Sequence, residues 1–306
     1  MTLTSIAKSG LVLLATAFTA GCSVHYADPT RESAEAVAET TRFALEAEIR
    51  DIVYTEPGWP QSLQADLYLP QRRGLRPIVI TIHGGGWAAR GREDMDAIAV
   101  DLTERGYAVF NLGYRFAPTH TFPAQLDDMY QALAWLVTNA ERYRLDPNRI
   151  NAWGYSAGAH LAALLGSYDR ESEAASIREL PPLRAVVAGG IPADLRKYDD
   201  SPIIQRFLGG TPSEVPEQYV DASPAVHISA DDPPVFLYHG KLDFLVRLDQ
   251  PEDYYAALVE AGVPAELYLQ SFRGHGTMFL FGGSAEARAM EFLDRNNIDD
   301  LTTAGN

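Results

Sequence analysis

The sequence predicts an α/β fold: a mostly parallel central sheet covered by helices on both faces, with a small cap insertion. Three observations carry this. Continuous apolar runs such as Ile78-Val79-Ile80-Thr81-Ile82 and Tyr107-Ala108-Val109-Phe110-Asn111 suit strands buried on both faces. Stretches with helical periodicity alternate with these runs, as a parallel sheet with helical crossovers requires. Between the strand Arg149–Trp153 and the apolar helix Ala159–Leu165 sits Gly154-Tyr155-Ser156-Ala157-Gly158, a strand-to-helix turn that lifts a serine hydroxyl clear of the sheet.

Taken in order, residues 1–21 have the form of an export signal. Lys8 supplies a positive start, and Gly10 to Ala20 is an apolar run too short for a bilayer span. It ends at Thr19-Ala20-Gly21-Cys22, which resembles a bacterial lipobox and makes Cys22, the one cysteine, the candidate lipidation site. The expectation is an exported, membrane-anchored lipoprotein, periplasm-facing or in the outer membrane, touching the bilayer only through its N-terminal lipid. The alternative is a secreted soluble protein. Residues 22–44, poor in large apolar side chains, read as a tether, and residues 45–300 as a single domain.

Within that domain, Glu48–Tyr54 and Gln64–Leu69 alternate in the manner of strands and flank a Pro57-Gly58 turn, which predicts a hairpin. A helix over 95–104 comes after the Ile78–Ile82 strand. Ala124 to Arg142 carries Leu126, Tyr130, Leu133 and Val137 on one helical stripe. Leu183–Ala188 is a further strand. Residues 190–233 lose periodicity and carry several prolines and glycines, the pattern of a cap or lid. Strand Pro234–Tyr238, a helix over about 251–261, strand Ala265–Leu269 and a helix over 284–296 complete the chain. The formal charge of −16 disfavours nucleic acid and anionic lipid surfaces as partners, and no basic stripe argues otherwise.

The loops at the C-terminal ends of the strands should carry the chemistry, because open α/β sheets build sites at their carboxyl edge. Ser156 is the candidate nucleophile. His83-Gly84-Gly85-Gly86-Trp87 comes directly after the strand ending at Ile82, and its glycines leave backbone amides unobstructed. The amides of Gly85 and Gly86, with that of Ala157, are the candidate oxyanion donors. Asp243, in His239-Gly240-Lys241-Leu242-Asp243, lies just past the strand Pro234–Tyr238 and is the candidate orienting acid. Among seven histidines only His275 lies beyond the last strand, flanked by Gly274 and Gly276, and it is the candidate base. Trp87, Tyr114, Phe116 and Tyr155 are candidate pocket residues. No metal-ligand cluster is apparent, and the chemistry calls for no cofactor.

The order Ser156, Asp243, His275, with the glycine loop, Ser223-Pro224 and Pro233-Pro234-Val235, resembles the α/β-hydrolase superfamily from about residue 49 to 296. Within it the chain is similar to the acetyl-esterase/feruloyl-esterase-like branch related to hormone-sensitive lipase. Trp87 and Tyr155 stand where the hormone-sensitive-lipase core usually has Phe and Asp, which favours the feruloyl/acetyl-esterase side. Ala159 stands where prolyl-peptidase relatives usually carry glycine, which disfavours a peptidase. The resemblance implies a serine carboxylic ester hydrolase acting on short-chain acyl or feruloyl-type small-molecule esters. The alternatives are an amide or formamide hydrolase, of the kynurenine-formamidase kind, and a non-catalytic surface binding protein on the same fold.

Overall fold

A computed structural model describes residues 23–27, 42–168, 177 and 179–297. The expected export signal and Cys22 lie outside these residues, as do residues 28–41 of the expected tether. The nine described strands are β1 (Val24–Tyr26), β2 (Leu45–Val53), β3 (Gln64–Pro70), β4 (Arg76–Ile82), β5 (Ala108–Leu112), β6 (Leu145–Tyr155), β7 (Ala185–Gly189), β8 (Val235–Gly240) and β9 (Ala265–Gln270). They form one sheet in the order β1-β9-β8-β7-β6-β4-β5-β3-β2. The six strands from β5 through β4, β6, β7 and β8 to β9 run parallel, while β2, β3 and β1 pair antiparallel at the two edges. β2 and β3 are the expected hairpin.

The described helices are α1 (Asp96–Glu104), α2 (Ala124–Thr138), α3 (Ala140–Tyr143), α4 (Ala157–Ser167), α5 (Pro202–Leu208), α6 (Pro216–Asp221), α7 (Asp249–Glu260), α8 (His275–Phe281) and α9 (Gly283–Asn297). The single helix expected over 124–142 breaks at Asn139, giving α2 and α3. Alternation along β6 shows why both sheet faces need cover. Ile150 and Ala152 join one apolar cluster with Leu126, Leu133 and Leu161 of α2 and α4 and Leu258 of α7. Trp153 and Tyr155 join the other with Leu102 of α1 and Phe292 of α9. Among the described residues no helix is long and apolar enough to cross a membrane.

Two stretches depart from expectation. Val24–Tyr26, inside the stretch read as a tether, is an edge strand: Val24 pairs with Leu269 and Tyr26 with Leu267. Three residues are too few to show alternation, and the free edge of β9 supplies the partner that local sequence does not reveal. The cap region, 190–233, contains α5 and α6, each opened by a proline at its first turn, where the missing N–H is harmless.

Packing at the start of α4 leaves no room for a side chain at Gly154 or Gly158. A Cβ on Gly154 would lie 2.1 Å from the carbonyl oxygen of Gly158, and one on Gly158 would lie 2.0 Å from that of Ile82. Backbone thus meets backbone, and no side chain can move aside to relieve a substitution. Gly158→Ala is expected to destabilise the fold by at least ~3 kcal/mol in urea unfolding, by forcing β4, β6 and α4 apart. Gly276→Ala, whose Cβ would meet nothing within 4 Å, is expected to stay within about 1 kcal/mol. Equal midpoints for the two variants would refute the steric account.

Candidate active site

Ser156 caps α4 with φ 55° and ψ −120°, a region that non-glycine residues rarely occupy and that costs on the order of 1–3 kcal/mol. The surroundings hold it there. Its N–H donates to the Gly189 carbonyl of β7 at 2.7 Å, and its own carbonyl accepts the N–H of His160 at 3.0 Å. The strain fixes the hydroxyl at the carboxyl edge of the sheet.

The structure brings Ser156, Asp243 and His275 into one line. His275 Nε2 is 2.8 Å from Ser156 Oγ, and His275 Nδ1 is 2.6 Å from Asp243 Oδ2. Asp243 lies beyond β8 in a tight turn in which its Oδ1 accepts the N–H groups of Leu245 and Val246, each at 2.9 Å. Its side chain is almost fully buried. Burial pushes its carboxyl up, but the hydrogen bond and charge of His275, the Val246 amide and nearby His239 together hold it below the ordinary aspartate value. His275 opens α8, and the Tyr155 hydroxyl donates to its carbonyl at 2.6 Å. Tyr155 is therefore both a wall of the pocket and a strut for His275. Burial pushes the Tyr155 hydroxyl well above its ordinary value, so it stays a donor.

The glycine loop is fixed from behind. The Gly84 carbonyl accepts from His83 Nδ1 at 2.7 Å, so that nitrogen carries the proton, and the Tyr114 hydroxyl donates to the carbonyls of His83 at 3.0 Å and Gly84 at 3.3 Å. His83 also stacks on Tyr114 with ring centroids 4.4 Å apart. A planar trans peptide that aims its carbonyl one way aims the next N–H the other way. The two donors on Gly84 therefore turn the Gly85 amide away from His83. Gly85 and Gly86 have φ of 110° and 57°, and a Cβ on Gly85 would lie 2.0 Å from the Ala89 carbonyl oxygen. Gly85, Gly86 and Ala157 all line one cavity with Ser156 and His275, of about 330 Å³.

Of the four expected pocket residues, Trp87 and Tyr155 line that cavity and Tyr114 and Phe116 do not. Tyr114 is spent on the loop carbonyls, and with Phe116 it borders a separate cavity of about 340 Å³ behind the loop, beside His83 and His120. The residues that sequence reasoning missed come from elsewhere: Ile203 and Ile204 of the cap, Leu245 after Asp243, and Phe279 on α8. Trp87 is buried, stacks on Phe207 of α5 at 4.2 Å, and donates its indole N–H to His160 Nδ1 at 3.3 Å. His160 Nε2 in turn donates to the Ala222 carbonyl at 2.6 Å. Burial brings the His160 imidazole down to about 4, despite that hydrogen bond, so it is a neutral bolt between α4 and the cap.

His239 lies close to the acid. Its Nε2 donates to the Val246 carbonyl at 3.0 Å and sits 3.4 Å from Asp243 Oδ2. Burial pushes this imidazole down, against the pull of Asp243. The spacing His239-x-x-x-Asp243 was the sequence signal for this contact.

The BD-FAE family model matches residues 65–258. Over 76% of its length the chain is 31% identical to an isoprenylcysteine alpha-carbonyl methylesterase of Arabidopsis thaliana. Over 78% it is 32% identical to a probable carboxylic ester hydrolase, LipM, of Mycobacterium tuberculosis. The match spans 57% of each of these two relatives, a little over half their length. Among solved structures, a truncated carbohydrate esterase from gut microbiota aligns with a TM-score of 0.73 at 24% identity, covering 85% of this chain and 98% of that one. A bacterial heroin esterase aligns with a TM-score of 0.68 at 27% identity, covering 86% of each.

The depressed Asp243 carboxyl has a consequence for stability. A carboxyl whose folded pKa lies below its unfolded value of about 3.9 stabilises the fold above that value, and the contribution is lost as pH falls through the folded pKa. The stability gap between the wild-type chain and Asp243→Asn is therefore expected to shrink as pH falls below about pH 4. Urea midpoints across this range measure it. A gap that stays unchanged below about pH 3 would contradict the assignment.

Proposed function

This chain belongs to the BD-FAE family of α/β-hydrolase esterases, and we propose that it works as a serine carboxylic ester hydrolase through Ser156, His275 and Asp243. The reading rests chiefly on one observation: a single imidazole shared between the serine oxygen at 2.8 Å and a buried carboxylate at 2.6 Å. Ser156 Oγ attacks the ester carbonyl carbon while His275 Nε2 takes its proton. Asp243 fixes the tautomer that leaves Nε2 free to accept, and stabilises the imidazolium that forms. The carbonyl π electrons move to oxygen, and the amides of Gly85, Gly86 and Ala157 receive the oxyanion. Collapse breaks the bond to the alcohol oxygen, which leaves with the proton from His275. Water, deprotonated by the same imidazole, then hydrolyses the acyl-enzyme and restores the serine.

The substrate is a small ester with a short acyl or single-ring aromatic acyl group. The cavity, about 330 Å³, is at the low end of ligand pockets, which span roughly 300–1,000 Å³. Trp87, Tyr155 and Phe279 give it aromatic walls, while Ile203 and Ile204 close the cap side. The relatives are named for quite different esters, so the acyl side is where the chain's own walls have most to say.

Ser156→Ala is expected to lower p-nitrophenyl acetate turnover by at least ~10⁴-fold with an unchanged circular dichroism spectrum. Near-normal turnover would end the serine account. An N-formyl aryl amide assayed alongside the acetate tests the ester preference, and the ester is expected to be the faster substrate. A panel extending from acetyl to octanoyl and feruloyl esters is expected to favour acetyl and feruloyl. Tyr114→Phe, which removes one donor from the loop carbonyls, is expected to lower kcat about tenfold with KM little changed, because the oxyanion exists only beyond the ground state. An unchanged kcat would remove Tyr114 from the oxyanion account.

A further inference from the structure

The most exposed large apolar side chains among the described residues lie on the segments that carry Asp243 and His275. Phe244 is 89% exposed, Phe272 75%, Leu280 68% and Phe281 62%, with Leu242 and Leu245 about half exposed. They lie on three segments that meet: the turn carrying Asp243, the loop leading to His275, and α8. The Leu242 N–H donates to the Arg273 carbonyl at 2.8 Å. The Arg273 guanidinium reaches the carbonyls of Phe281 at 3.4 Å and Phe272 at 3.5 Å. Leu245 also lines the catalytic cavity, so the apolar rim is continuous with the pocket. Scattered apolar residues on a surface need no explanation, but a cluster around a pocket mouth marks a contact face.

The chain's N-terminal segment enters the domain at this same rim. Val24 pairs with Leu269 and β1 runs antiparallel to β9, so Ser23 meets the sheet at the end of β9 from which the Phe272 loop departs. Cys22, the residue of the lipobox-like motif, is one Cα step of about 3.8 Å from Ser23. A lipid there would have almost no tether, since β1 begins two residues later. Anchor and apolar rim would share one edge of the molecule. Stable membrane attachment takes more than one such signal, and apolar side chains beside a lipid supply the second.

We infer that this edge docks on a phospholipid bilayer: Phe244, Phe272, Leu280 and Phe281 enter the interface beside the Cys22 lipid, and the catalytic mouth opens toward the membrane to take an ester dissolved in it. Arg273, between Phe272 and Phe281, is positioned to place its charge at the phosphate level while its stem lies along the apolar rim. The net charge of −16 opposes an anionic surface, so the fitting bilayer carries no net charge. The inference rests on the ester hydrolase reading for the substrate, but not for the docking.

Two measurements on the full-length lipidated chain test it. First, Phe244→Trp is compared with Val100→Trp, on the outer face of α1, in phosphatidylcholine vesicles with brominated acyl chains, each read against the parent chain. Quenching at position 244 and none at 100 is expected. No quenching at 244, or equal quenching at both, overturns the docking. Second, F244Q/F281Q is expected to keep p-nitrophenyl acetate turnover in solution within twofold. Its release of acetate from hexadecyl acetate dissolved in the vesicles should fall at least tenfold. An unchanged rate on the vesicle ester overturns the proposal, as does a solution dimer that the double variant dissolves, since the rim would then be covered by a second copy. If the unmutated chain lacks turnover on p-nitrophenyl acetate altogether, the ester hydrolase reading fails, and the quenching comparison still decides whether this face meets the bilayer.

Discussion

The close passage of three backbones governs this site. β4, β6 and the first turn of α4 approach until the only side chain that fits at 154 or 158 is a hydrogen atom. Ser156 lies between those two positions and is bent to φ 55° as a result. The same approach sets the glycine loop. A Cβ on Gly84 would lie 3.0 Å from the Tyr155 carbonyl and 3.4 Å from Ser156 Cβ, so the loop after β4 lies against the elbow. The candidate nucleophile and the candidate main-chain donors are thus positioned by one steric fact about the sheet centre. Long side chains play little part in it, and the geometry does not depend on a flexible group finding its rotamer.

Burial sorts the histidines by function. His83, His160 and His239 are fully buried and each gives a proton to a main-chain carbonyl, of Gly84, Ala222 and Val246 respectively. Desolvation pushes all three down, so they remain neutral; His160 is bonded at both ring nitrogens, to Trp87 and Ala222, whereas His83 and His239 are each held at one. His275 is partly exposed, and its two nitrogens face a hydroxyl and a carboxylate rather than a carbonyl. Of these four imidazoles it is the one whose Nε2 faces a hydroxyl while its Nδ1 is held by a carboxylate. The difference is one of partners: a carbonyl can only accept, which pins the imidazole in one tautomer, whereas a serine hydroxyl can give its proton up.

The central strands were legible because they are buried on both faces and leave continuous apolar runs rich in β-branched and aromatic residues. Ser156, Asp243 and His275 were legible because each comes after such a run, and chain order then ranks the candidates. The misses have a common origin in tertiary contact. Val24–Tyr26 is a strand only because β9 has a free edge to pair with. His275 starts a helix, although glycines on both sides suggested a loop. Tyr114 and Phe116 lie past β5 at the right edge of the sheet, but the loop carbonyls draw the Tyr114 hydroxyl behind the site, and no local pattern encodes that choice. The pocket walls Ile203 and Ile204 belong to a segment without periodicity, where sequence carries little information about which residue turns inward.

The cap shows how an aperiodic insertion can still be rigid at its contact point. Trp87 belongs to the glycine loop, yet its ring lies against Phe207 of the cap and its N–H is tied to His160 of the nucleophile helix. His160 then reaches the cap again at Ala222. Loop, helix and cap are therefore closed into a ring of contacts around the serine. Moving the cap means breaking a stacked aromatic pair and a fully buried hydrogen bond together, and the orphaned imidazole would bear the desolvation cost. A cap held in this way behaves as a fixed wall. On the ester hydrolase reading proposed above, the space between Trp87, Ile203 and Ile204 would then limit the acyl group by packing rather than by opening.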